Sequence, residues 1–359
     1  MRLIHRRAVL ASPLALAAAP PAFNSLALNQ RARKRGLFFG TAVNHETITN
    51  DRHYLDRIDA ESGIVVGEAQ FKWADIHPEP DRYDFTRADA LMAFAARHKL
   101  RVRGHTLVWH EAIPDWLRPA LTPDTAEAIL RGHIRTVTRH FAGRMVHWDV
   151  ANEVIQPDDK QPLDLRATPW LNALGPAYLD IAFAEAATCD PAALRVLNEF
   201  GTDYPLPWQE RKRAALLKLL ADLTSRQVPV QAVGLQAHLD AAEPIDQKIL
   251  SKFVTDIAAM GLKIIVTELD VRDQRLPGSI EVRDIAIAAH AKAWLDPVLA
   301  CPAVLGVLTW GLSDRHSWLN DTFPRDDKLD QRPLPLDAAL ERKPLWQAIA
   351  AALDAAPVR

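Results

Sequence analysis

Residues 264–271 read IIVTELDV, an apolar run that ends on two carboxylates, Glu268 and Asp270. Ile264, Ile265 and Val266 have the β-branched character of a strand buried along its length. Period-two alternation puts Glu268 and Asp270 on the same side of the chain. An ionised group beside a core is costly unless a partner or a task holds it there. The plain alternative is a solvated loop residue or a salt-bridge partner, and the other strand ends decide between the two.

Working outward from this stretch, short β-like runs alternate with longer helical ones from residue 36 onward, without a linker or low-complexity break. Strands are expected over 37–43, 64–68, 101–107, 145–150, 194–198, 233–236, 263–267 and 304–309. Apolar residues at i, i+3, i+4 spacing predict helices over 87–98, 124–141, 178–188, 209–224, 246–260 and 282–295, with a closing helix near 345–353. Eight such units in one undivided chain predict an α/β fold, a single (β/α)8 barrel over 28–359. In that architecture the chemistry sits at the C-terminal ends of the strands.

Those ends are rich in polar and aromatic residues. Strand two is followed by Glu68, Lys72 and Trp73, and strand three by His105, Trp109 and His110. Strand four ends on Asn152 and Glu153, strand five on Asn198, Glu199 and Phe200, and strand six on Gln236 and His238. Strand eight leads into Trp310, with Trp318 in the loop beyond. No glycine-rich phosphate loop follows strands seven or eight. The histidines lie on different strands rather than at metal-ligand spacing, so neither a metal nor a cofactor is expected, although His105 and His238 with a carboxylate would be the candidate zinc ligands.

Two carboxylates on opposite sides of a barrel mouth, with tryptophan platforms around them, suit glycosidic bond cleavage. One carboxyl must carry a proton to the leaving oxygen, and the other must be ionised. Glu153 and Glu268, on strands four and seven of an eight-membered ring, fill those places. A separation of about 5 to 5.5 Å would mean retention of configuration, and a larger one inversion.

The strings RGHTLVWH, WDVANE, GLQAHL, VTELDV and TWGLSDRHSW resemble, in order and spacing, the motifs of glycoside hydrolase family 10, the (β/α)8 endo-β-1,4-xylanases. The resemblance runs from about Phe39 to Trp318. It implies that Glu153 is the general acid/base, Glu268 the nucleophile, and xylan or a xylo-oligosaccharide the substrate. By the same resemblance Asn152 holds a sugar hydroxyl, His238 and Asp270 support the nucleophile, and Glu68, Lys72, His105, Trp109, Asn198, Gln236, Trp310 and Trp318 bind the sugar. Strict alternation sends Asn152 and Glu153 to opposite faces, so the strand must be irregular there. The chain departs from the family pattern at Ala69 and Phe71, where Asn and Met are usual, and at Ala112, where Gln is usual. Glu199, Phe200 and the single Cys301 are departures of less expected consequence. Another β-1,4-glycanase activity and a catalytically silent binding barrel stay open as alternatives.

Composition narrows the remaining classes. A formal net charge of -2 leaves no footprint for nucleic acid or an acidic membrane surface. The 10 Trp suit apolar platforms for sugar rings as well as core packing. Cys189 and Cys301 are too few for a disulfide framework and are expected to be small buried hydrophobes. Arg2, Arg6 and Arg7 precede the apolar run 8–19, which is too short to span a membrane and is expected to be an export signal within 1–27. Its Arg6-Arg7 pair resembles a twin-arginine signal, and the mature chain is expected to be an exported monomer, periplasmic or secreted.

Overall fold

The computed structural model describes residues 26–359, so residues 1–25 of the expected export signal lie outside the described residues. Nine parallel-paired strands occur among them: β1 Phe38–Val43, β2 Ile64–Gly67, β3 Arg101–Gly104, β4 Met145–Asn152, β5 Leu194–Glu199, β6 Ala232–Leu235, β7 His238–Asp240, β8 Lys263–Arg272 and β9 Val304–Thr309. β1 to β6 pair in succession, β6 pairs with β8, β8 with β9 and β9 with β1, which closes a barrel of eight strands. β7 is an outward continuation of β6 that pairs only with the 270–272 end of β8. The break between them falls at Ala237, whose φ is +59°.

The alternation expected of a barrel strand is visible in its two apolar clusters. Phe38, Ile64, Val66, Ala232, Ile265 and Leu308 fill the barrel interior. Phe39, Val65, Val233, Ile264 and Val266 belong instead to the larger cluster shared with the helices. Burial on both faces is why these strands are apolar runs rather than alternating ones.

The expected helices form at Thr86–Arg97, Ala126–Phe141, Ala177–Cys189, Pro207–Ser225, Gln247–Ala259, Ile280–Leu299 and Pro344–Ala355. Asp246 starts one of them by accepting from the N–H groups of Lys248 and Ile249. The pair His45–Asn50 and Arg52–Glu61, between β1 and β2, was not among the expected helices; Asn44 and Asp51 cap them. Both cysteines are free and buried. Among the described residues, no helix is long and apolar enough to cross a membrane.

The strand ends differ from a regular pattern in two places that matter. In β4 two residues, Val150 and Ala151, occupy the step that takes β5 from Val196 to Leu197. In β8 the step from Val266 to Leu269 is three residues where β9 advances only two, from Val307 to Thr309. Such bulges re-aim side chains at barrel rims. Glu268 shares the parity of Ile264 and Val266, so the second bulge is what turns it toward the barrel mouth.

Close packing under the site demands a glycine at 234. A Cβ there would lie 2.1 Å from Asn198 Oδ1 and 2.9 Å from Thr267 Cγ2. Gly234→Ala is therefore expected to destabilise the fold by about 1–3 kcal/mol and to dislodge Asn198. The urea unfolding midpoint should fall; an unchanged midpoint would contradict this packing.

Candidate active site

Glu268 lies at the floor of a cleft of about 530 Å³ at the C-terminal mouth of the barrel. Its Oε1 accepts from Asn198 Nδ2 at 2.7 Å, and its Oε2 faces His238 Nε2 at 3.2 Å. The other ring nitrogen, Nδ1, is 2.9 Å from Asp270 Oδ1. Asp270 in turn accepts from Trp318 Nε1 at 2.8 Å, which ties the loop after β9 to the site. The register of β7 against β8 sets His238 directly beside Asp270.

Burial pushes the Glu268 carboxyl up, but the His238 hydrogen bond and the positive charges of His105, His238 and Arg103 outweigh it and hold the group at about 2. Burial likewise works against the charged form of His238. Asp270 and Glu268 outweigh that and hold the imidazolium well above the usual histidine range. A charged His238 donates from both nitrogens, one to each carboxylate.

Glu153 follows β4 with a left-handed backbone, φ +56°. Its N–H donates to the Asn198 carbonyl at 2.9 Å, and its own carbonyl accepts from Arg166 Nε at 2.8 Å. The bulge in β4 and this turn bring both Asn152 and Glu153 to the cleft. Trp109 Nε1 donates to Glu153 Oε2 at 2.9 Å, and Gln236 Nε2 donates to Oε1 at 3.0 Å. Gln236 also reaches Asn152 Oδ1 at 3.4 Å, and Asn198 donates to that same oxygen at 2.9 Å. One hydrogen-bonded chain therefore links Glu153 to Glu268 through Gln236, Asn152 and Asn198.

Lys72, His105, Trp109, Trp310 and Trp318 all line the cleft. Lys72 Nζ stands 4.8 Å over the Trp109 ring, and burial lowers its pKa against the charges of Glu268, Glu68 and Glu153. His105 is fixed by Asp149 at 2.8 Å and meets Trp310 edge-on at 5.5 Å. His238 meets Trp318 in the same manner at 5.2 Å.

One residue expected to touch sugar stands behind the lining instead. Asn198 is fully buried and spends its amide on Asn152, Glu268 and Thr267, so it holds the site from beneath. Glu68 is half-buried, and desolvation pushes its carboxyl up to about 7 despite Lys72 and a hydrogen bond with Asn44. Conversely, Glu111, Phe200, Arg272 and Phe323 line the cleft without having been expected there. Arg272 stacks over Phe323 at 4.5 Å, and no spacing pattern marks either. Among the described residues no group of three or more side chains is arranged to hold a metal ion; His105 and His238 are each committed to carboxylates.

Residues 27–352 match the family model described as glycosyl hydrolase family 10. The chain belongs to that family. Endo-1,4-beta-xylanase 5 of Pyricularia oryzae is 31% identical over 336 residues, covering 92% of this chain and 79% of the relative. The beta-1,4-xylanase of Dictyoglomus thermophilum is 32% identical over 289 residues, 78% of each chain. Native xylanase 10B from Thermotoga maritima has the same architecture, with a TM-score of 0.83 and 31% identity over 92% of this chain and 98% of that one. Xylanase 10B from Thermotoga petrophila RKU-1, solved with xylobiose, aligns with a TM-score of 0.83 and 30% identity over 93% and 98%. The eight-stranded parallel barrel of this family is thus the fold of the present chain.

The electrostatics of the pair set a pH expectation. A carboxyl held at about 2 stays ionised well below the ordinary carboxylate value, so activity that needs Glu268 charged should persist into acid. His238→Ala removes both the hydrogen bond and the positive charge. The acid limb of kcat/KM should then move up toward about 4, the ordinary range for a carboxylate; a limb that does not move would contradict the assigned cause.

Proposed function

We propose that this family 10 glycosidase is a retaining endo-1,4-β-xylanase that cuts xylan by double displacement. The observation that carries the reading is the asymmetry of the two glutamates. Glu268 is held ionised by the charged ring of His238, whereas Glu153 faces the same cleft from a separate strand end with the neutral donors Trp109 and Gln236 on its oxygens. The relatives named xylanases, one of them solved with xylobiose, favour a xylose chain over other β-1,4-glycans.

In the first step the Glu268 carboxylate attacks the anomeric carbon while the proton of Glu153 passes to the glycosidic oxygen. The C–O bond breaks, the leaving chain departs as an alcohol, and a glycosyl ester with Glu268 remains. In the second step Glu153, now a carboxylate, takes a proton from water as that water attacks the anomeric carbon. Glu268 leaves as a carboxylate, and Glu153 is again protonated. Asn152 and Gln236 are placed to bond sugar hydroxyls next to the reacting centre, and Trp310 and Trp318 form apolar walls. Lys72, His105 and Trp109 also line that cleft.

Ala69 and Ala112 put no side chain into the cleft, where the family pattern has Asn and Gln reaching the sugar one step back. Each missing hydrogen bond weakens that subsite by about 0.5 to 1.5 kcal/mol. Reducing-sugar release is expected from xylan, little or none from carboxymethyl cellulose and mannan, and none from any of them with Glu268→Ala. Lengthening an aryl xyloside to a xylobioside, which fills that subsite, should raise kcat/KM by less than about tenfold. Release by the Glu268→Ala variant would sink the mechanism, and a steep chain-length gain would sink the weak distal subsite.

The basic, alanine-rich leader around Arg6 and Arg7 supports export, and the chain is proposed to act outside the cytoplasm as a monomer. Mass spectrometry of enzyme recovered from the periplasm or medium should show a start after Ala19 or near Ala27, and light scattering a single-chain mass. Recovery of the activity only in the cytoplasm, with Met1 intact, would contradict export.

A further inference from the structure

Behind the cleft, beside Glu153, lies a buried ion pair that the reaction described above does not use. Glu199, the last residue of β5, is fully buried, and Lys212 on the helix Pro207–Ser225 pairs with it at 2.8 Å with 1% of its side chain exposed. Removing two charges from water is expensive, and such a pair is weak evidence for stability by itself. Its hydrogen bonds point to another use. Glu199 Oε2 accepts the N–H of Ile155 at 2.9 Å, two residues beyond Glu153, while Oε1 accepts the N–H of Phe200 at 3.1 Å. Lys212 Nζ then sits 3.4 Å over the ring of Phe200, which faces the cleft.

Glu153 needs such a hold because its backbone is left-handed, at φ +56°, a conformation that costs a non-glycine residue energy. Its N–H is fixed by Asn198 and its carbonyl by Arg166, so Glu199 supplies the third anchor, on the chain leaving the turn. We propose that Glu199, seated by Lys212, is a positioning residue that pins the turn after Glu153 and keeps the Glu153 carboxyl aimed at the leaving oxygen. The inference rests on the reading of Glu153 as the acid. It extends to Phe200, which the same carboxylate fixes at the cleft wall.

A positioning role for the acid makes a demand that a merely structural role does not. Substrates whose leaving group departs without a proton should be spared. The test compares wild type, Glu199→Gln and Glu153→Ala on 2,4-dinitrophenyl xylobioside, whose leaving group needs little acid help, and on xylan, whose leaving group needs much. Glu199→Gln is expected to lose about tenfold or more on xylan and less than about threefold in glycosyl-enzyme formation from the dinitrophenyl substrate, a milder copy of Glu153→Ala. Equal losses on both substrates, or no loss on either, would overturn the proposal. Should Glu199→Gln fail to fold by thermal unfolding, Glu199→Asp keeps the charge but withdraws it from Ile155. The same unequal loss is then expected of Glu199→Asp, and equal losses or none would again overturn the proposal. Failure of wild type on xylan would instead remove the underlying function, so the two failures are distinct.

Discussion

A carboxylate that must stay charged while buried is the constraint on which the site depends. Desolvation alone would protonate Glu268, and the charged form survives because His238 stands against it with Asp270 behind. Neither partner is secure alone. His238 would lose its proton to burial without its two carboxylates, and Asp270 relies on Trp318 from the loop after β9. That loop is itself held by buried charge: Asp314, near its start, pairs with Lys343 at 2.7 Å and accepts from the Leu334 N–H. The chemistry of one strand tip thus reaches to the segment leading into the final helix.

Position is supplied by departures from regular strand geometry. A period of two would point Glu268 outward with Val266, and would separate Asn152 from Glu153. The bulges in β8 and β4, with the left-handed turn at Glu153, bring all three to one cleft. Asn198 spans the gap between them and leaves room for nothing larger than glycine at 234. The strain of these turns is confined to the side of the barrel that carries the chemistry, where hydrogen bonds from neighbouring strands over-determine it.

Most of the architecture was legible because parallel strands covered by helices are apolar runs, and because a barrel gathers its strand ends on one face. The need for irregularity at Asn152 and Glu153 followed from counting once the family resemblance had given both a place in the site. The same count at Glu268 started from Asp270 and so missed the bulge just before it. Asn198 looks like a sugar contact in a one-dimensional reading, since polarity at a strand tip does not tell a cleft wall from the layer beneath it. Arg272 and Phe323 escaped because they meet only when the last loop folds over β8. Glu199, which passes in sequence as a tolerable replacement, is a buried anchor whose partners lie at 155 and 212.

The central claim, that Glu268 is the nucleophile kept ionised for attack, is open to one direct measurement. A 2-deoxy-2-fluoro xylobioside with a good leaving group slows the second step more than the first, so the glycosyl-enzyme accumulates and its position can be found by peptide mass spectrometry. A single added fluoroxylobiosyl mass is expected on the peptide containing Glu268, formed far more slowly in His238→Ala. A label on another carboxylate, or steady turnover with inverted product and no label, would contradict it.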